Sequence, residues 1–212
     1  KHMARLNRCF NINDLRKKAK SNLPSSMYNY IVGGADDEWS LKRNTNAFND
    51  YQLMPNQLND ISKVDLTTSL LGTTLKLPFF LSPTGMNRLF HHEKEYAVAK
   101  AAEKFGIMYS LSTMATTSIE DIANTISSDK MFQIYIFKDR ELTKEYLHRA
   151  RKSGYQAICL TVDTPVAGNR ERDHYSGMSM PPKITFKSVF SYATHWQWVF
   201  NLLRNADFKL AN

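Results

Sequence analysis

An α/β fold built on a parallel sheet is what this sequence predicts, and three observations carry the prediction. Short apolar runs recur about every 25–30 residues, the size of one βα unit. The stretches between them have the length and pattern of amphipathic helices that cover a sheet. The ends of the apolar runs carry hydroxyls, amides and a carboxylate, where a purely structural strand would simply turn. A doubly wound sheet and a TIM (β/α)8 barrel both satisfy this alternation.

The elements follow in order. Asn11 or Asn13 caps a short helix reaching Lys20. Pro24 opens a second helix with Met27, Tyr30 and Ile31 on one face, and Gly33-Gly34 ends it. Asp36-Asp37-Glu38 supplies acids to the start of a third helix running to about Phe48. Leu66 to Leu77 reads as a β-rich hairpin with its turn at Gly72. The repeating part then begins. Expected strands are Leu77–Leu81, Ile107–Leu111, Met131–Phe137 and Ala157–Val162. Expected helices are Glu93–Lys104, Ile119–Ile126 and Glu141–Lys152, with Gly106 and Gly154 as stops. No G-x-G-x-x-G follows the first strand and no G-x-x-x-x-G-K-[ST] occurs, which weakens a nucleotide-binding doubly wound sheet.

Composition sets further bounds. With 42% hydrophobic and 23% charged residues, 212 residues can bury a core and are too apolar for a disordered chain. No apolar run approaches the roughly 18 residues of a membrane span, and residues 1–20 hold no apolar stretch of a secretory leader. Two cysteines make no disulfide framework, and Cys159, inside Ala157-Ile158-Cys159-Leu160, reads as a buried thiol. The net charge of +8 is concentrated: residues 1–20 hold seven Lys/Arg against Asp14 alone. A solvated helix face is the ordinary explanation of such a run, and an anionic membrane is the alternative. No nucleic-acid partner is expected, because zinc spacing, stacking aromatics and a helix-turn-helix pattern are all missing. His91-His92 opens a helix without further ligands at metal spacing and reads as surface.

The polar residues cluster at the strand ends. Ser82-Pro83-Thr84-Gly85 follows the first strand and Ser112-Thr113 the second. Gln133 and Tyr135 lie in the third, and Thr161 and Asp163 end the fourth. A barrel places its active site at the C-terminal ends of its strands. Strand-end capping is the plain alternative for any one of them and a weaker one for four strands together.

In these same stretches the sequence resembles the FMN-dependent L-2-hydroxy acid dehydrogenases and oxidases: glycolate oxidase, L-lactate dehydrogenase and mandelate dehydrogenase. The matching segments are Leu23-Pro24 through Tyr30, Gly34-Ala35, Pro83-Thr84-Gly85, Leu111-Ser112-Thr113, Phe132-Gln133-Ile134-Tyr135, Leu160-Thr161-Val162-Asp163-Thr164-Pro165 and Arg170-Glu171-Arg172-Asp173. Their order and spacing agree along nearly the whole chain.

The resemblance implies a TIM barrel with FMN as cofactor. It implies that Pro83, Thr84 and Gly85 lie against the flavin, and that Ser112, Gln133 and Thr161 hydrogen-bond its ring edge. Tyr30 would bind the substrate carboxylate, Tyr135 its hydroxyl, and Arg170 would stand at the pocket mouth. Asp163 would orient the catalytic histidine. The chemistry asks for such groups: an anionic substrate needs a cation and hydroxyls, and a histidine base needs a carboxylate partner. Glycine at position 85 and Met114, where glycolate oxidases carry a bulky tryptophan, favour a substrate larger than glycolate.

The same resemblance implies that this chain is the N-terminal part of one enzyme domain. Residues 1–65 are its helical start, 66–163 the first half of the barrel and 164–212 the long loop after the fourth strand. Histidine base, carboxylate-clamping arginine and phosphate loops belong to the other half. Four βα units cannot close a barrel, so a C-terminal half is an expected partner. The complete protein is expected to be a homo-oligomer. Phe186, Val189, Phe190, Ala193, Trp196, Phe200 and Leu203 recur at helical spacing, with Trp198 beside them. They imply a helix lying on a membrane surface over about 186–203, peripheral on the inner, cytoplasmic face. In the family such a segment implies a quinone-type acceptor. An oxygen-using oxidase is the alternative enzyme, and a non-catalytic half-barrel that binds flavin or a partner chain is the alternative from another class.

Overall fold

The computed structural model describes residues 6–178, 186–204 and 209–212. In chain order its helices are α1 (Ile12–Asn22), α2 (Ser25–Val32), α3 (Trp39–Asn46), α4 (Lys94–Phe105), α5 (Ile119–Thr125), α6 (Arg140–Lys152), α7 (Glu171–Ser176), α8 (Phe186–Thr194) and α9 (Trp196–Arg204). Its strands are β1 (Thr68–Leu70), β2 (Thr73–Leu75), β3 (Tyr109–Ser112), β4 (Lys130–Ile134) and β5 (Ala157–Leu160). The chain packs as two units, Lys1–Pro55 with Val166–Ala206, and Asn56–Pro165 with Asp207–Asn212.

The first unit is helical. The Asn11 side chain caps α1 by accepting from the Asp14 amide, which satisfies one of the amides that a helix start leaves unpaired. Pro24 precedes α2 with φ −54°, already suited to helix entry. Gly33 ends α2 in an extended conformation, φ −85°, and not in the left-handed one that a C-terminal glycine commonly takes. Its reason is space: a Cβ there would lie 2.8 Å from Asn29 O and 3.0 Å from Arg172 Cδ. The third helix ends at Asn46 and tightens into a 3-10 turn, Ala47–Asp50, that reaches past Phe48. Helix α2 packs against α1, α7 and α8. The expected amphipathic helix over 186–203 is two helices broken at His195, whose amide bonds Tyr192 O at 3.1 Å.

The second unit carries the sheet. β1 and β2 form the expected hairpin, and positive φ at both Leu71 and Gly72 gives the tight turn that matches strand twist. β3, β4 and β5 are parallel and lie in sequence order, with Leu111 beside Phe132 and Phe132 beside Ile158. A doubly wound sheet reverses its strand order; this one steps round in one direction, as the first arc of a TIM barrel does. The first expected strand, Leu77–Leu81, is reduced to a parallel bridge between Leu81 and Tyr109. Pro78 has no amide to give, and the Phe79 amide turns back to Leu77 O at 2.8 Å.

β3 and β4 are buried throughout. Ala99 and Ala102 bring α4 close, and Ile119 and Ile122 do so for α5. Phe132 makes T-shaped pairs with Tyr146 and Tyr155 at centroid distances of 6.3 and 6.1 Å, the geometry that aromatic quadrupoles favour. Ser118 and Asp139 cap α5 and α6 with their side-chain oxygens. β5 is the open edge among the described residues and leaves Ile158 and Leu160 exposed. Cys159 is only half-buried, against expectation, because it lies on this edge strand. No helix among the described residues is long and apolar enough to cross a membrane.

One buried charge ties this unit together. Glu95, on the face of α4 shared by Ala99 and Ala102, is fully buried. Its carboxylate accepts from the Thr116 amide at 2.8 Å, the Thr116 hydroxyl at 2.9 Å and the Thr117 hydroxyl at 2.6 Å. The Asn87 amide approaches it at 3.4 Å. Burial, and then the Glu95 charge, push the Tyr109 phenol far above its ordinary range. Glu95→Ala should lower stability by about 3–5 kcal/mol, because it strands several buried donors at once. Glu95→Gln should cost roughly half as much, since it keeps the volume and one acceptor oxygen. Urea unfolding followed by far-ultraviolet dichroism checks the order; equal midpoints for the three proteins would contradict it.

Candidate active site

The strand ends of the second unit form one hydrogen-bonded array. The Ser112 hydroxyl donates to Gln133 Oε1 at 3.0 Å, and the Thr113 amide reaches the same oxygen at 3.1 Å. Gln133 Nε2 donates to Thr161 Oγ1. The Thr113 hydroxyl donates to Gln133 O at 2.6 Å, and the Met114 amide to Ser112 Oγ at 3.1 Å. Parallel register makes this possible, because Ser112 lies beside Gln133 and Gln133 beside Cys159 on neighbouring strands. The amide orientation of Gln133 is thereby fixed: its oxygen faces two donors and its nitrogen faces a hydroxyl. One N–H of Gln133 and the O–H of Thr161 are left to donate elsewhere. Free donors on buried and half-buried side chains suit the carbonyl and ring-nitrogen acceptors of an isoalloxazine edge, so the array fits FMN.

The loop after Leu81 closes beside this array. The Met86 amide donates to Met114 O at 2.9 Å. A Cβ on Gly85 would lie 3.0 Å from Met114 Cβ and 3.1 Å from Met114 O. A side chain there would require Met114 to give by a few tenths of an ångström, so its approach favours glycine, and Met86, with φ 57°, takes the left-handed strain of the turn. The Thr84 hydroxyl donates to Asn87 Oδ1 at 3.2 Å. Pro83, Thr84 and Gly85 thus stand on a loop braced from two sides, by Met114 and by the Glu95 carboxylate through Asn87. The sequence reading missed Glu95, Met86, Thr116 and Thr117. An acid at the first position of an otherwise alanine-lined stripe was the available signal for Glu95.

Strand lengths correct the placement of three residues. β4 ends at Ile134, so Tyr135 lies just beyond it and is 37% exposed. β5 ends at Leu160, although the Thr161 amide still bonds Ile134 O at 3.0 Å. Asp163 falls three residues past the strand, exposed, and accepts from the Thr164 hydroxyl at 3.2 Å. No histidine bonds it among the described residues.

The first unit holds Tyr30 and Arg170 together. The Arg170 guanidinium lies over the Tyr30 ring, 4.8 Å from its centroid, and Nη2 donates to Tyr30 O at 2.6 Å. Nε donates to Asp173 Oδ2 at 2.6 Å. The Asp173 hydrogen bond raises the Arg170 pKa above its ordinary value. Arg170 is therefore a half-buried, anchored cation and not a solvated loop residue. His91 and His92 are exposed as expected, but Glu93 brings a third ligand atom within 4.8 Å of theirs, because the three are consecutive.

Comparison with known proteins agrees with this geometry. Residues 19–211 match the family described as FMN-dependent dehydrogenase. Glycolate oxidase of Spinacia oleracea is 40% identical over 178 residues, 84% of this chain and 48% of that protein. A putative L-lactate dehydrogenase of Mycobacterium tuberculosis (strain ATCC 25618 / H37Rv) is 39% identical over 209 residues, 98% of this chain and 50% of that one. The crystal structure of the monotopic membrane protein (S)-mandelate dehydrogenase superposes with a TM-score of 0.92 at 34% identity. It covers 96% of this chain and 54% of its own. The chain thus spans about half the length of the relatives it matches. With barrel topology, strand-end array and family match in agreement, it belongs to the FMN-dependent dehydrogenases, the 2-hydroxy acid family whose cofactor is FMN.

Proposed function

We propose that this chain is the flavin-contacting first half of an enzyme that oxidises an L-2-hydroxy acid, lactate- or mandelate-like, to its 2-keto acid. The observation that carries this reading is the Ser112–Gln133–Thr161 array, which offers its spare donors at the strand ends of a TIM barrel. Ser112, Gln133 and Thr161 would hold the ring edge of FMN, which would supply the two-electron acceptor. Tyr30 binds the substrate carboxylate and Tyr135 its hydroxyl. Arg170 stands at the pocket mouth, with its Nη1 uncommitted among the described residues. Met114 borders the substrate and limits its size. Asp163 orients, and as a carboxylate stabilises, the histidine base of the C-terminal half.

A quinone-type acceptor and attachment to the inner face of the cell membrane belong to the same reading. Val189, Phe190, Trp196, Phe200 and Leu203 are all exposed on α8 and α9. Phe186 has no described side chain, and Trp198 stacks on Tyr192 at 5.8 Å, so it packs within the helix pair. The exposed set suits a surface that lies in the lipid interface without crossing it, and the (S)-mandelate dehydrogenase neighbour is itself a monotopic membrane protein. The glycolate oxidase relative favours a second reading, an oxygen-using oxidase. Peroxide release against quinone reduction during hydroxy acid turnover decides between them.

Three outcomes are expected of the complete enzyme. Tyr30→Phe should raise KM about tenfold or more, the equivalent of one charge-assisted hydrogen bond, with flavin content unchanged. Asp163→Asn should slow flavin reduction about 100-fold or more in stopped flow while FMN stays bound. Deleting residues 186–204 should abolish flotation with anionic vesicles and reduction of a bilayer-embedded quinone, yet leave reduction of a soluble dye. Unchanged KM, wild-type flavin reduction or retained flotation would each remove the corresponding assignment.

A further inference from the structure

We propose that a groove in the first unit is a seat for the phosphodiester headgroup of an anionic phospholipid. The inference rests on the membrane reading above and names the lipid group it recognises. The groove holds about 560 Å³, and Arg16, Lys20, Arg172 and His195 line it over Leu23 and Val32. No carboxylate lines it.

The cations differ in how far they are committed. Arg172 is bonded to Glu38. Asp14 turns to Lys17, at 3.6 Å, and not to its neighbour Arg16. Arg16 and Lys20 have no ion-pair partner among the described residues. Arg16 Nε donates to the Tyr28 hydroxyl at 3.3 Å, which positions the guanidinium and leaves its terminal nitrogens to act. His195 Nδ1 lies 2.7 Å from Ser191 O. A carbonyl oxygen only accepts, so Nδ1 carries the proton of that bond and Nε2 is the ring nitrogen left over.

His195 Nε2, in the tautomer that the Ser191 bond sets, is an acceptor, so the free donors are those of Arg16 and Lys20, and they recognise a phosphate diester. Its two unesterified oxygens match a guanidinium fork, and Lys20 adds a point charge. The apolar floor suits the glycerol carbons that follow. A free phosphate would satisfy the cations equally well. The lipid source is favoured by position: His195 is both a wall of the groove and the joint between α8 and α9, whose exposed Phe190, Trp196 and Phe200 form the interface-seeking surface. The seat therefore opens at the root of the segment that enters the lipid.

The test uses the complete FMN-loaded enzyme and phosphatidylcholine vesicles with and without phosphatidylglycerol. Arg16→Gln/Lys20→Gln should weaken binding to the phosphatidylglycerol vesicles roughly 25-fold, from about 1 kcal/mol per cation at tenfold per 1.4 kcal/mol. Binding to phosphatidylcholine alone should hardly change. Lys17→Gln/Lys18→Gln removes the same charge from the same helix and should cost under about fivefold, since Lys17 is already paired. Retained flavin absorbance shows that each variant is folded. Glycerophosphoglycerol should shift the His195 ring resonances of the wild type and not those of the Arg16/Lys20 variant. Equal losses for the two pairs would reduce the effect to a diffuse field and overturn the seat. A His195 response to inorganic phosphate combined with unchanged vesicle affinity in the Arg16/Lys20 variant would make it a free-phosphate site, which also overturns it. Phe190→Ser/Phe200→Ser reads the α8–α9 surface separately: it should abolish binding to both vesicle types, and intact binding there refutes that surface as the membrane contact. A wild-type enzyme that binds neither vesicle type refutes the membrane reading, and with it the seat.

Discussion

Four donors from two loops converge on a carboxylate that water does not reach, that of Glu95. An isolated buried charge of this kind would cost many kcal/mol, and only donors already in place make it tolerable. The requirement runs both ways. Glu95 stays buried because the turn at Thr116-Thr117 keeps its amide and hydroxyls in position, and that turn keeps its shape because the carboxylate collects them. Asn87 extends the constraint to the loop of Pro83, Thr84 and Gly85. A helix residue that would touch neither flavin nor substrate thus fixes both loops expected to flank them.

Above that brace the strand ends behave as a single polar layer. Parallel pairing sets Ser112, Gln133 and the start of the β5 exit side by side, so three side chains satisfy one another in a chain. A half-satisfied buried network would be worse than an apolar core. Within the Ser112–Gln133–Thr161 chain the inward bonds are made, and what is left to donate is one N–H of Gln133 and the O–H of Thr161. Such a surface is preorganised: the groups that would meet a flavin edge are held by each other before the ring arrives, so their ordering is not charged against binding.

Much of this was legible in the residues because periodicity reports burial directly. The alternation of apolar runs with amphipathic stretches located β3, β4, β5 and α4 to α6 within a few residues. Strand ends were misplaced at particular residues: Pro78 interrupts the first strand, and β4 ends at Ile134, three residues short of the expected Phe137, which releases Tyr135. Gly33 was recognised as a stop but for another reason, since the sequence contains no sign that Arg172 crosses it. The break at His195 was hidden because the apolar spacing of α8 continues through it into α9, and a helical period survives a one-residue joint. Glu95 was legible in principle at i, i+4 and i+7 with Ala99 and Ala102; the donors that justify it come from Thr116 and Thr117, which no local pattern connects to it. Ser112, Gln133 and Thr161 were found through polarity at strand ends, whereas their mutual bonding needed the register.

The open edge explains why Asp163 looks unremarkable in this chain. It follows β5, whose Ile158 and Leu160 face outward among the described residues, and it stands in water. At a separation of about 4 Å, a carboxylate and an imidazolium attract by roughly 1 kcal/mol in water and about 4 kcal/mol at the effective dielectric of a protein site. The difference is about two orders of magnitude in the equilibrium between neutral and charged base. In a closed barrel the strand that pairs with β5 would cover Ile158 and Leu160 and lower the dielectric around Asp163. In the proposed enzyme the hydrophobic edge and the Asp163 carboxylate would then be two parts of one device: burying the first would give the second its strength. An Asp163 left exposed could orient a histidine but could stabilise its charged form only weakly.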